Sequence, residues 1–168
     1  MADRSLTRRI AALGTLAVVA YAALAAVQIL VLNPLAAVPG RTLPQIEAEM
    51  ARWGESLGTP RVLGLLGFGV ALAVALLVTA WLDKDPAPWD YALGYLAMLV
   101  LGAPVYFVAS FGAGMALADS FGISGGDHAP WALPLYIASA LALVALVTLA
   151  VWPRRGAEGA AGVPSAPR

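Results

Sequence analysis

The residues able to do acid–base or metal chemistry gather around one stretch, "SFGISGGDHAPW", residues 120 to 131. Gly125 and Gly126 allow a tight turn that presents Asp127 and His128 together, and Asp119 stands just before the stretch. A carboxylate beside an imidazole can exchange a proton, and two carboxylates with one imidazole can bind a divalent cation. The spacing is not that of a structural or catalytic zinc site. Asp127 is equally suited to cap the helix that follows. Metal binding is therefore the less favoured reading, with Asp119, Asp127 and His128 as its candidates, and no cofactor is expected.

A second set of polar groups interrupts apolar surroundings: Gln28, Tyr106, Ser110, Tyr136 and Ser139. With the topology derived below, these fall in the outer half of the membrane or near its middle, so any ligand pocket is expected to open outward. The plainer reading of the same groups is interhelical hydrogen bonding, worth about 0.6 kcal/mol each on average. The inner half offers mainly Thr15, Thr79 and Thr148, whose hydroxyls can bond carbonyls of their own helices.

Many mechanisms are excluded by what is missing. The chain has no cysteine, which removes disulfides, thiolate nucleophiles and dithiol redox chemistry together. His128 is the only histidine, so bis-histidine haem ligation is impossible. No phosphate-binding loop, GxSxG or HExxH occurs. Ten basic residues balance ten acidic ones, which leaves no global field to recruit nucleic acid.

The elements that must hold these residues are membrane spans. The 168 residues are 61% hydrophobic and 12% charged, with mean hydropathy +0.81. Four stretches, 10–32, 62–82, 91–117 and 131–152, contain no Asp, Glu, Lys or Arg. Each meets the length of about 20 apolar residues that a spanning helix needs. The first resembles a signal peptide at Ala23-Leu24-Ala25, but its apolar run continues through "VQILVL", longer than a secretory segment. The fold class expected is all-α: a polytopic four-helix transmembrane bundle over 1–153.

Basic residues set the orientation. With the N-terminus inside, Arg4, Arg8, Arg9, Lys84, Arg154, Arg155 and Arg168 are cytoplasmic and Arg41, Arg52 and Arg61 are outside. This bias predicts both termini in the cytoplasm. Trp53, Trp81, Trp89, Trp131 and Trp152 fall at or beyond span ends, where an indole keeps its ring apolar and its N–H wet. Nine of the ten basic residues are Arg, and Ala, Gly and Pro abound, which points to GC-rich codons and a bacterial plasma membrane.

Residues 33–60 then form the first outer loop. Leu43, Ile46, Met50, Trp53 and Leu57 recur every three or four positions, predicting a short amphipathic helix over 43–57 with these five on its docking face. Thr42 and Gln45 match a capping box, and Gly58 with Pro60 supplies a stop. Trp53 is expected to be the chief anchor. "DKDPAPWD" is a tight inner turn, and 154–168 is a small-residue tail expected to be a disordered cytoplasmic segment.

Small residues at helical spacings, Gly67, Ala71 and Ala75 in the second span and Gly102, Ser110 and Gly114 in the third, permit close helix contact. Pro104 is expected to kink the third span near Val100. These features suit a non-enzymatic protein of the lipid bilayer that assembles with itself or serves as an accessory subunit of a larger membrane-protein partner. The alternative is an outward-opening binding or transport protein for a small molecule. The third reading is a metal-dependent membrane enzyme.

Overall fold

A computed structural model of the chain describes residues 2–151; the tail expected at 154–168 lies outside the described residues. The fold is all-helical: α1 (Ala2–Val27), a π-helical turn (Gln28–Leu32), α2 (Asn33–Ala37), α3 (Leu43–Arg52), α4 (Thr59–Leu82), α5 (Pro88–Phe121) and α6 (Ala132–Val151). Four helical segments are long and apolar enough to cross a membrane: Arg4–Ala37, Thr59–Leu82, Pro88–Phe121 and Ala132–Val151. Within the most apolar window of each, only 17 to 22% of residues are buried by the protein itself. Leu13, Phe68, Leu141 and Val144 are all more than 60% exposed. A chain that turns such side chains outward uses hydrocarbon as its solvent.

The first span runs further than its apolar stretch. An ordinary α-helix at Pro34 would press the proline ring against the Leu30 carbonyl and lack one hydrogen bond. Here the helix widens into the π turn, with Asn33 N–H reaching back to the Gln28 carbonyl, and then continues to Ala37. The wide turn carries the helix past the proline without breaking it. Pro34 is thus helical, although residues 33–60 read as loop. α5 likewise runs unbroken through Pro104 to Phe121, where Gly122 takes a left-handed φ of 64° and closes the helix on the Ala118 carbonyl.

The spans are arranged around a parallel pair, α1 and α5, with α4 against both and α6 against α5. Two tyrosines make the pair close. The Tyr95 ring of α5 lies where a side chain on Gly14 of α1 would stand, and the Tyr21 ring of α1 lies over Gly102 of α5. Both pairs have the same sequence separation, as two helices in parallel register require. Each glycine gives a ring direct access to the opposite backbone.

The bundle has two cores. The larger sits at the end bearing α3, the cap, and contains Ile29, Ile46, Met50, Leu57, Tyr106 and Leu117. The smaller, toward the opposite end or base, holds Ala11, Val18, Ala73, Ala80, Tyr91 and Tyr95. α3 starts with Thr42 N–H donating to Gln45 Oε1 at 2.8 Å and buries Ile46 and Met50 completely.

The helix predicted over 43–57 is shorter in the structure. It ends at Arg52 because Gly54 adopts φ 76° and the Glu55 amide turns back to the Met50 carbonyl, so Gly54 supplies the stop assigned to Gly58. Trp53 therefore leaves helical register, at φ −90° and ψ 0°. It is 66% exposed, and its indole N–H points to Glu49 Oε1 at 3.3 Å. The expected anchor lies outside the core. Leu57 reaches the core from the connecting segment, and Leu43 is half-buried.

Candidate functional site: a polar network beneath the cap

Tyr106 is completely buried on α5, and its hydroxyl donates to Asp127 Oδ1 at 2.7 Å. Its ring meets that of Tyr136 on α6 edge to face, with centroids 5.6 Å apart. Gln28, also completely buried, donates from Nε2 to the Ala129 carbonyl at 3.1 Å. Both groups hold the α5–α6 loop from below. A third tie was not legible in the sequence: buried Asn33 accepts the His128 amide at 2.6 Å and the Ala129 amide at 3.4 Å on its Oδ1.

The π turn starts at Gln28 and closes on Asn33, the two residues of this segment that reach the loop. A five-residue turn changes the angle between its ends relative to an α turn. The irregularity beside Pro34 thus coincides with the aiming of two side chains at one loop. Gly114 completes the seat, since a side chain there would collide with the Gly125 carbonyl.

The network leaves Gln28 Oε1 buried without a hydrogen bond from the described residues. Its other members satisfy main-chain groups or each other, which is the behaviour of a structural lock.

The remaining sequence candidates put no side chain into this network. Ser110 bonds the Phe107 carbonyl of its own helix at 3.2 Å. Ser139 is buried and bridges three helices, donating to the Leu99 carbonyl at 2.8 Å and lying 3.2 Å from the Tyr21 hydroxyl. Asp119 is exposed, and the His128 ring turns back to the Ser124 carbonyl at 2.9 Å. Among the described residues, no three His, Asp or Glu side chains stand together as a metal site would require. The grouping of Asp119, Asp127 and His128 into one centre does not form: Tyr106 takes Asp127, and the tight loop takes His128.

Gln28, Tyr106 and Ser110 are each engaged by a different partner: the Ala129 carbonyl, Asp127 and the Phe107 carbonyl. A cavity of about 200 Å³ lies lower, between α1, α4 and α5, and is lined by Val18, Tyr21, Leu66, Phe68 and Gly102 among other apolar residues. Hollows at the cap flank α3 instead, one beside Arg41 and Glu49 and one beside Glu47 and Glu55.

Comparison of the chain with protein-family models, curated proteins and solved structures returns no match.

A second hydrogen-bonded knot lies toward the base. Thr15 Oγ1 stands 2.9 Å from the Tyr95 hydroxyl and 3.3 Å from the Ala73 carbonyl, to which Tyr95 also donates at 3.1 Å. Thr79 and Thr148 bond their own helices, to Leu76 and Val144. Thr15 does not: it joins α1, α4 and α5.

Proposed function

We propose that the chain is a non-enzymatic membrane protein that assembles with itself through the outward side of α4. The observation that carries this reading is where the small residues of that helix point. α4 buries Val62, Leu66, Ala73 and Ala80 against the bundle. Gly64, Gly67, Ala71 and Ala75 lie on its exposed side, and a side-chain carbon added at Gly64 or Gly67 would meet nothing within 4 Å. These residues are spaced three or four apart, so they make a shallow lane in which a second backbone can lie close. They are not needed for packing inside the bundle.

The proposed setting is a bacterial plasma membrane with both termini in the cytoplasm and α3 outside. The basic residues support it: Arg4, Arg8, Arg9 and Lys84 belong to the base.

The native absence of cysteine makes the test direct. Single cysteines at Gly67 or Ala71, oxidised in native membranes, should give disulfide-linked homodimers, whereas a cysteine at Leu141 on exposed α6 should not. A cross-linked product containing a different protein would assign the chain as an accessory subunit. Monomers at all three positions would overturn the proposal.

A further inference from the structure

We infer that the base of the bundle binds the phosphate of an anionic phospholipid through Arg4 and Arg8, with Trp81 as the platform. The Arg8 guanidinium carbon lies 4.6 Å from the centroid of the Trp81 ring, so the cation of α1 stacks on the indole at the end of α4. Its Nε is buried and meets no hydrogen-bond acceptor among the described residues. Arg4, one turn earlier and on the same side of α1, donates from Nη2 to the Lys84 carbonyl, which draws the start of α1 onto the α4–α5 loop.

Arg4, Arg8 and Lys84 are thereby brought to one end of the bundle, and among the described residues none of the three is in an ion pair. The ion pairs among the described residues, Arg41–Glu49 and Arg52–Glu49, are both at the cap. The nearby Asp83 is otherwise engaged, accepting from the Tyr91 hydroxyl at 3.3 Å and the Asp85 amide at 3.0 Å.

This arrangement suits an anion of particular chemistry. A guanidinium held flat presents its remaining donors in a fixed fork, which matches a phosphate better than a monovalent counterion. The location selects a lipid as the source. Trp81 is 56% exposed at the end of a spanning helix, where indoles mark the boundary between hydrocarbon and headgroups. Val78 and Val74, also exposed, continue from it up α4 and give an acyl chain an apolar track. Basic groups at such a boundary attract anionic lipid. The inference does not depend on self-association.

The test uses the full chain, purified with retained lipid from membranes containing phosphatidylglycerol and phosphatidylcholine of equal chain length, and read by native mass spectrometry. Phosphatidylglycerol should remain bound in preference to phosphatidylcholine. Arg8→Gln or Arg4→Gln should weaken that preference about tenfold, the scale of one lost charge-assisted contact. Arg41→Gln at the cap should leave it unchanged. Because Arg4 is exposed, its variant reports on binding even if Arg8→Gln fails to fold. Equal retention of the two lipids, an equal loss with Arg41→Gln, or displacement of the lipid by millimolar inorganic phosphate would overturn the inference.

Discussion

Tyr106 shows how one side chain can be both core and polar connector. Its ring fills the cap core while its hydroxyl holds Asp127, so Tyr106→Phe keeps the volume and removes only the tie. Because Asp127 is exposed and water can replace the lost donor, the expected cost is about 1 kcal/mol. The change should be local: faster amide hydrogen exchange across residues 123–129, with α3 and α4 unaffected. Exchange rising equally across the bundle would show that the hydroxyl supports more than this loop. Tyr106, Gln28 and Asp127 were legible as polar groups in or beside apolar spans. Asn33 was not, because it stands at the edge of a span beside Pro34, where loop residues ordinarily begin. Only the π turn, which periodicity does not reveal, keeps it helical and buried.

The same contrast holds for whole elements. Periodicity placed α3 and named Ile46 and Met50, but it extended the docking face to Trp53 by continuing a helix that Gly54 ends. Met50→Ala should cost about 2–5 kcal/mol as a buried truncation. Trp53→Ala should stay within about 0.5 kcal/mol, as an exposed change does. Thermal unfolding in detergent compares the two, and a larger effect at Trp53 would mean that its indole has a partner in the membrane. Helix contacts also separate by side. Gly102→Ala would force the Tyr21 ring away and should destabilise the fold by about 1–3 kcal/mol through overpacking. Gly67→Ala meets open space and should leave thermal stability unchanged or raised by up to about 1 kcal/mol of helix propensity, while weakening the proposed dimer. Small residues announced close approach in the sequence, but not whether the approaching helix belongs to the same chain. That depends on which side of α4 the bundle uses, and a helix apolar all round carries no such mark.

At the scale of the molecule, charge-free length was enough to identify every span, because hydrocarbon admits few alternatives to a long helix. The proposed orientation has a direct check. Single cysteines at Ser5, Ser56 and Ser124, all exposed, should divide by end when intact cells meet an impermeant thiol reagent: Ser56 and Ser124 positions labelled, Ser5 protected. The reverse pattern would invert the bundle.

The parallel pairing of α1 with α5 also constrains how the protein is made. Synthesis runs from the N-terminus, and α4 is complete before α5 exists. During that interval Tyr21 has no Gly102 beneath it, and the Thr15 hydroxyl has no Tyr95 to meet. Until then, only the Ala73 carbonyl of α4 is there for the Thr15 hydroxyl to meet. The arrival of α5 supplies both along one register, so the contacts that join α1 to the rest of the bundle are complete only when the third span is in place.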